Sequence, residues 1–346
     1  MIKVILMLLL AVIAPITFSQ ANTEIEGQQP NAGIDSKGVI RMVYGNGEKI
    51  YCITSIDHGT NFSKPILVGT VAKMHLGNTR GPQIASSNKF SMVTAMDKDG
   101  NIHSFMLNHS NNIWTALRKV NDVKDSAPEG LMALTADEND HFYAVWLDLR
   151  EKHFNNIYFS SLASPKPFWE ANKLVYKSPD EHVCECCKPN ICFDKNKLVI
   201  SFRNWLMGSR DIYYTVSTDK GKSFNKPMKS GAGTWKLNGC PMDGGGLVIN
   251  NTGSIATAWQ RSGEIFYWSE GQKEVNIGFG RGVSMAQADG AVVIAWKEKE
   301  AIKVKNLKTN SIKIIGSGDS PRVYQLKNGQ TFCAWEDNKQ VKFAVL

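Results

Sequence analysis

The chain has 346 residues, with 40 Lys and Arg against 32 Asp and Glu, which gives a formal net charge of +8. The basic excess is modest and no block of like charges runs along the sequence, which argues against a nucleic-acid-binding arm. Seven cysteines are present. Because this number is odd, at least one thiol is left outside any disulfide within the chain.

The first residues, MIKVILMLLLAVIAPITFSQA, combine one lysine, a short apolar run and small residues before Asn22. This pattern predicts a signal peptide over residues 1–21, cleaved after Ala21, with an uncleaved anchor as the alternative. The apolar run is short for a membrane span, and no second long run follows. We therefore expect an exported protein, periplasmic or secreted, whose residues 22–346 form one domain without a stable membrane span. Export also permits disulfides.

Seven copies of one pattern follow. A strand-like segment ends at a large apolar marker residue, and a second alternating segment opens with Ile or Val, six residues later in five copies. The markers are Tyr44, Met96, Trp146, Phe202, Trp259, Trp296 and Trp335, and the openers are Ile50, Ile102, Ile157, Ile212, Ile265, Ile302 and Val341. In the third and fourth copies the offset is eleven and ten residues, which predicts long loops there.

Seven units of about four short strands predict an all-β fold, a β-propeller of four-stranded blades, with six blades as the alternative count. A pair of β-sandwiches would not explain seven copies in register. The last unit ends at Leu346 after three strands. We therefore expect a strand near residues 23–27 to supply the fourth strand and close the ring.

Two units carry an additional motif after the third strand. These are Ser55-Ile-Asp57-His-Gly59-Thr-Asn-Phe62 and Ser217-Thr-Asp219-Lys-Gly221-Lys-Ser-Phe224. Both resemble the Asp box (BNR repeat), S-x-D-x-G-x-x-[FW], of the sialidase superfamily. In such a turn the Asp accepts backbone hydrogen bonds, the Gly supplies a positive φ, and the aromatic packs between strands. We therefore expect Asp57 and Asp219 to be structural.

The resemblance implies a propeller and, for the enzymes of the superfamily, cleavage of terminal sialic acids from glycans. Those enzymes share an early F-R-I-P segment, an arginine triad, a Tyr/Glu nucleophile pair and an Asp acid/base. This chain has no F-R-I-P segment, and its nearest fragment, residues 321–323, lies at the opposite end. The segments HVCECC and GCPM resemble a divergent group of exported bacterial sialidase-like proteins. If the chain is an enzyme, the resemblance implies a glycoside hydrolase of exo-sialidase type.

Antiparallel strands place the Asp-box turns on one face of a propeller. The loops between second and third strands, and the connections between blades, lie on the other face. The long loops LDLREKHFNN and RNWLMGSRD therefore meet the connections DSAPEG, EHVCECCKPN and TWKLNGCPMDGGG around blades three to five. Seven of nine arginines also map to this face: Arg80, Arg150, Arg203, Arg210, Arg261, Arg281 and Arg322.

The guanidinium group suits carboxylate, sulfate or phosphate, so we predict an anionic glycan or small acidic ligand as the partner at this face. The candidate ligand-binding residues are Arg150, Arg203, Arg210, Arg281, Trp205 and Trp235. Pairing of the arginines with nearby acids is the alternative. Glycoside hydrolysis requires two carboxylates, or a tyrosine with an acid, and the candidate catalytic acids are Glu129, Asp148 and Asp211. Each of these acids can equally be a turn or pairing residue.

The cysteines of HVCECCKPNIC support three alternatives. Disulfides would join Cys184 or Cys186 to Cys240, and Cys187 to Cys192. A soft-metal site for copper or zinc would draw its ligands from one set: Cys184, Cys186, Cys187, Cys240, His182 and Met242. A redox-active cysteine pair, or a propeller that only binds proteins, completes the hypotheses. Cys186 and Cys187 are adjacent, so in a strand their side chains would point to opposite faces.

Overall fold

The computed structural model describes residues 25–151, 154–288 and 290–346, and the predicted signal peptide lies outside them. The described chain folds into a ring of seven antiparallel sheets of four strands each, a seven-bladed β-propeller. The predicted fold and the count of seven blades are confirmed, and the six-blade alternative is wrong. Within the described ranges, no helix is long and apolar enough to cross a membrane.

The first four blades follow one another along the chain. Blade 1 contains β2 (Gln28–Ile34), β3 (Ile40–Asn46), β4 (Lys49–Ser55) and β5 (Ile66–Thr70). Blade 2 contains β6 (Gln83–Ser86), β7 (Phe90–Met96), β8 (Ile102–Asn108) and β9 (Ile113–Ala116). Blade 3 contains β10 (Met132–Ala136), β11 (His141–Asp148), β12 (Asn156–Ala163) and β13 (Lys173–Tyr176). Blade 4 contains β14 (Asn190–Asp194), β15 (Lys197–Leu206), β16 (Ser209–Ser217) and β17 (Met228–Lys229).

The last three blades complete the ring. Blade 5 contains β18 (Gly246–Ile249), β19 (Ile255–Arg261), β20 (Glu264–Ser269) and β21 (Val275–Phe279). Blade 6 contains β22 (Arg281–Ala288), β23 (Ala291–Glu298), β24 (Ala301–Asn306) and β25 (Ser311–Ser317). Blade 7 contains β26 (Asp319–Gln325), β27 (Thr331–Asp337), β28 (Gln340–Val345) and, from the other end of the chain, β1 (Ile25–Glu26).

The short strand β1 closes the ring as the sequence predicted. It pairs antiparallel with β28, where Ile25 lies opposite Val341. Gly27 N extends the pairing by donating to Lys339 O at 2.8 Å. Pairing the first strand with the last covers an edge that would otherwise expose unpaired backbone groups.

The core lies between neighbouring blades, and the marker residues are its largest members. Trp146, Trp296 and Trp335 are at most 2% exposed. One cluster joins Ala295 and Val304 of blade 6 to Cys333 and Trp335 of blade 7, and the other clusters are built in the same way. Alternation along each strand sends side chains to both faces of a blade, so each blade packs against two neighbours. Cys333 and Cys52 are free and buried in these cores.

The two Asp-box motifs form the same hydrogen-bonded turn. In blade 4, Gly221 N donates to Ser217 Oγ at 2.8 Å, and Ser217 Oγ donates to Asp219 at 2.7 Å. Asp219 also accepts from Ser223 N, and Phe224 packs edge-on against Phe159 of blade 3.

The turn of blade 1 repeats these contacts from Ser55 to Asp57 and Gly59. Backbone and side-chain hydrogen bonds from Asn61 lower the pKa of Asp57 to about 2. Phe62 packs against Phe343 of blade 7. In both motifs, therefore, the acid orders a turn and the aromatic contacts the preceding blade.

The connections that enter blades 4 and 5 lie in direct backbone contact. Asn190 Nδ2 donates to Gly244 O and Gly245 O, both at 3.1 Å. A Cβ added at Gly244 would lie 1.8 Å from Lys188 O. Only glycine permits this approach, so Gly244 fixes how the two connections meet.

Ser217→Ala removes a buried oxygen that both accepts from Gly221 and donates to Asp219. We expect a loss of about 1–2 kcal/mol in the free energy of unfolding, measured by urea denaturation. Ser36→Ala, at an exposed turn position, is the control and should change stability by less than about 0.5 kcal/mol. Equal unfolding midpoints for the two variants would contradict the role given to this turn.

Gly244→Ala should destabilise the junction of blades 4 and 5, because the new methyl group overlaps the Lys188 carbonyl. We expect a loss of about 1–3 kcal/mol, the usual effect of overpacking, measured by urea denaturation. Gly239→Ala lies in the same connection, where the nearest heavy atom is 3.6 Å from the added Cβ. That control should unfold as the wild type does; a Gly244→Ala protein that also does so would refute the packing argument.

Candidate functional site

The face opposite the Asp boxes, here called the mouth face, collects the connections between blades, as the sequence predicted. A cavity of about 310 Å³, the mouth cavity, opens there between blades 1, 6 and 7 and the connections that enter blades 2 and 5. Its lining includes Gln28, Asn78, Arg281, Lys297 and Glu336. The lining is rich in amide, carboxylate and cationic groups, so the cavity presents many hydrogen-bonding atoms in a small space.

Arg150 and Asp148 bind each other at the end of β11. Arg150 Nε lies 2.8 Å from one Asp148 oxygen, and its terminal nitrogen lies 2.9 Å from the other. Asp148 also accepts from Ser126 Oγ and Trp146 Nε1. The guanidinium lies 4.1 Å from the centre of the Tyr158 ring. Both side chains are therefore occupied within the fold, and their predicted ligand-binding and catalytic roles stay predictions.

Arg203 is a buried brace between blades 4 and 5. Its side chain is 1% exposed and donates to three carbonyl oxygens at 2.7–2.9 Å, those of Asp243, Arg210 and Gln260. Its guanidinium also lies 5.5 Å from the centre of the Trp235 ring. These contacts leave none of its three nitrogens without a hydrogen bond.

The two other predicted acids also have partners. Asp211 accepts from Thr234 Oγ1, Trp235 N and Lys229 Nζ at 2.6–2.8 Å, so both of its oxygens are engaged. Glu129 lies 3.7 Å from Arg80. Burial raises the pKa of Glu129, against the opposing charge of Arg80. Burial therefore makes the Glu129 carboxyl harder to ionise.

The cysteines that precede blade 4 meet Cys240 from the next connection, and we call these four residues the thiol cluster. A disulfide joins Cys186 to Cys240, which confirms one of the predicted pairings. The predicted Cys187–Cys192 disulfide is wrong, since both residues are free. Cys192 packs in the core between blades 4 and 5, whereas Cys187 lies beside Cys184.

The thiol cluster gathers because residues 184–187 form a turn and not a strand. Cys187 N donates to Cys184 O at 3.4 Å, and this turn brings all three sulfurs to one side. The Sγ atom of Cys184 lies 3.2 Å from that of Cys187 and 3.7 Å from that of Cys186. The Sγ atoms of Cys186 and Cys187 are 3.9 Å apart. The segment is therefore not the strand in which Cys186 and Cys187 would point to opposite faces.

The two spacings that involve Cys186 are close to those of a soft-metal site, and the Cys184–Cys187 spacing is shorter. Tetrahedral ligands with metal–sulfur bonds of about 2.3 Å have sulfurs about 3.8 Å apart. The three Sγ atoms form such a group. Two of the six predicted ligands lie apart from it: His182 stacks between Phe154 and Trp205, and Met242 lines the mouth cavity.

The thiol cluster sits in a positive environment. Arg210 donates to Cys184 Sγ at 2.9 Å and lies 4.4 Å from the centre of the Trp205 ring. The hydrogen bond with Cys187, together with the charges of Arg203 and Arg210, lowers the pKa of Cys184 to about 7 despite burial. Burial raises the pKa of Cys187. Cys184 is therefore the member of the group most readily converted to a thiolate, the form that binds metals.

Two basic residues in the centre of the ring were not among the predicted site residues. Lys188 follows the thiol cluster and is 8% exposed, and Arg322 lies in β26. Both line a central channel of about 390 Å³ between the first strands of the blades. Burial, and then the charge of Arg322, hold the pKa of Lys188 well below its usual range. The sequence could have indicated Arg322, because it is a charged residue in the middle of a first strand.

No protein-family model and no curated protein matches this chain. Solved structures do match. An ulvan lyase, a polysaccharide lyase of family PL25, has a TM-score of 0.56 at 8% identity, over 94% of this chain and 96% of its own. The SapL1 lectin, solved with α-methyl fucoside, has a TM-score of 0.52 at 11% identity, over 84% and 97%.

Sialidases are also among the structural neighbours. The NanB sialidase from Streptococcus pneumoniae has a TM-score of 0.45 at 14% identity, over 94% of this chain and 67% of its own. Identities this low show a shared propeller fold and nothing about a shared site. The chain is similar in architecture to solved propellers that include a polysaccharide lyase and a lectin.

Proposed function

We propose that the chain binds an anionic glycan at the mouth face, in the mouth cavity beside Arg281. The proposal rests on which of the four predicted ligand-binding arginines already have partners within the fold. Arg150, Arg203 and Arg210 are engaged in contacts within the fold. The Arg281 side chain is exposed on the mouth cavity and, within the described part of the chain, forms no hydrogen bond or ion pair. Its guanidinium fork is therefore available for a carboxylate or sulfate.

The rest of the mouth cavity is ordered before any ligand enters. Glu336 accepts from Gln28 Nε2 at 3.1 Å and from Gln29 N at 3.0 Å. Lys297 lies opposite Arg281 in the β22–β23 pair, and its Nζ binds Asp319 at 2.8 Å. Fixed polar groups of this kind suit sugar hydroxyls, since the side chains have already lost their freedom.

Binding, and not hydrolysis, is the centre of this proposal. Both oxygens of Asp148 and both oxygens of Asp211 are hydrogen-bonded within the fold. Exo-sialidase-type hydrolysis would thus rest on Glu129 or on acids of the mouth cavity such as Glu336. The glycan-binding or glycan-processing neighbours support a glycan ligand at the level of the fold. The proposal places the protein outside the cytoplasm, in keeping with the predicted signal peptide.

A panel of sialylated, sulfated and uronic-acid oligosaccharides tests the glycan proposal by calorimetry, with neutral counterparts alongside. At least one acidic glycan should bind, and Arg281→Ala should weaken that binding by about tenfold or more, because a charged hydrogen-bond donor is lost. Arg118→Ala removes the same charge from an exposed site beyond β9 and should leave binding unchanged. The proposal would be refuted if no acidic glycan of the panel binds, or if Arg281→Ala binds with unaltered affinity.

The thiol cluster supports a second function, binding of a soft metal ion such as copper(I) or zinc. Its specific support is geometric, since three sulfurs lie close enough together to bind one metal ion once the disulfide of Cys186 is reduced. Cys184 and Cys187 are free thiols, and reduction of the Cys186–Cys240 disulfide supplies two more. Arg210 would donate to a metal-bound Cys184 and so stabilise the negative charge of the thiolates.

Metal binding can be measured on protein reduced with a phosphine under anaerobic conditions, by competition with a chromophoric chelator. The reduced wild type should bind one copper(I) or zinc ion per chain, and Cys184→Ser should weaken binding by at least about tenfold. Cys192→Ser, a thiol outside the cluster, should bind as the wild type does. Equal metal binding by the two serine variants would show that the thiol cluster is not the metal site.

A further inference from the structure

The mouth cavity continues inwards through a narrow neck to the central channel. Thr79, Met242, Gly282 and Ser320 line both the mouth cavity and the neck. The neck has a volume of about 20 Å³. A single water molecule needs about 10–15 Å³ by the same measure. By this measure the neck has room for about one or two water-sized groups, which excludes a sugar ring.

Lys188 and Arg322 stand at the inner end of the neck, where they line both the neck and the channel. Lys188 is 8% exposed, and the exposed part of Arg322 faces the same space. Among residues 25–151, 154–288 and 290–346, neither side chain has a hydrogen-bond acceptor or an acidic partner in contact. Two basic groups left together without a counter-charge are unfavourable in a protein interior.

The nearby acid, Asp243, offsets only part of this positive charge. Burial lowers the pKa of Arg322, and the negative charge of Asp243 opposes this shift. Both carboxylate oxygens of Asp243 also accept hydrogen bonds from the backbone. One oxygen accepts from Gly245 N and the other from Gly282 N, each at 2.8 Å. Tyr324, which lines the channel below, accepts a hydrogen bond from Ala32 N through its hydroxyl oxygen at 2.9 Å. The lining therefore offers basic donors without an acid free to pair with them.

We propose that Lys188 and Arg322 form an oxyanion site at the base of the neck, which takes a carboxylate, sulfate or phosphate group. Arginine binds such a group through two parallel N–H donors, and the lysine ammonium adds a third donor. The group can come from a free inorganic oxyanion, or from an acidic sugar that lies in the mouth cavity with its acid group in the neck. The second source rests on the proposed function, and the first does not.

Sodium sulfate and sodium phosphate are the probes for the site itself, with residues 22–346 as the protein. Sulfate should raise the Tm in proportion to the logarithm of its concentration, as a ligand of the native state does. Lys188→Met and Arg322→Met should each reduce sulfate affinity in calorimetry by about tenfold or more. Lys119→Met, an exposed position on blade 2, should respond to sulfate as the wild type does.

The methionine substitutions also have a readout that needs no ligand. Each removes one of two adjacent basic groups, so in sulfate-free buffer each variant should have a Tm equal to or above that of the wild type. A similar sulfate response in wild type and both channel variants would mean a general salt effect and would overturn the site. Lower Tm values for both channel variants in sulfate-free buffer would overturn it as well.

Competition between sulfate and an acidic glycan separates the two sources. If the acid group of the sugar occupies the neck, sulfate displaces the glycan, and Lys188→Met weakens both ligands. Sulfate binding without any glycan binding supports the oxyanion site and refutes the proposed function. Glycan binding that is lost in Arg281→Ala, with no sulfate binding at all, refutes the oxyanion site and leaves the proposed function standing.

Discussion

The buried guanidinium of Arg203 is the contact on which the mouth face depends. It lies in β15 of blade 4 and donates to the carbonyl oxygens of Asp243, Arg210 and Gln260. Removing one partner of a buried charged group leaves that charge uncompensated, so the three carbonyls are held firmly. Asp243 is thereby positioned close to blade 4. The disulfide of the thiol cluster and the contact between Gly244 and Lys188 both follow from that position.

The same internal contacts decide which cations remain for a ligand. Arg150 extends from the loop after β11 and Arg210 lies near the start of β16, and their partners are acids, carbonyls and Cys184. The long loop predicted for the fourth blade is wrong, because β15 and β16 stay paired up to Leu206 and Ser209. Arg281 and Arg322 lie in first strands, each beside a β-bulge, and their side chains line the mouth cavity and the central channel. The proposed anion binding therefore lies at the centre of the ring, next to the sector of blades 3 to 5 that the sequence indicated.

The fold was predictable because its signals are local and repeated. The spacing from Trp296 to Ile302, found again at Trp335 and Val341, reports a second and third strand wherever it occurs. The Cys184–Cys187 turn has no such repeat, and its shape depends on backbone contacts with the connection that follows blade 4. The burial of Lys188 could not be predicted for the same reason. A single lysine in a connection carries no sequence signal, and distant strands enclose it only in the folded chain. The hydrogen-bond partners of Arg203 and Arg210 likewise depend on how distant segments align in the fold, so the sequence did not predict them.

Thiol cluster and channel lie within one short segment of chain, and this proximity links their chemistry. Cys187 precedes Lys188 directly, and Cys186 is bonded to Cys240, three residues after which the chain reaches Asp243. The Gly244 backbone then packs on the carbonyl of Lys188. Any rearrangement of the sulfurs that moved Cys240 would therefore move the connection that confines Lys188. Because the neck has room for only one small group, even a slight movement there changes the space in which an anion would lie.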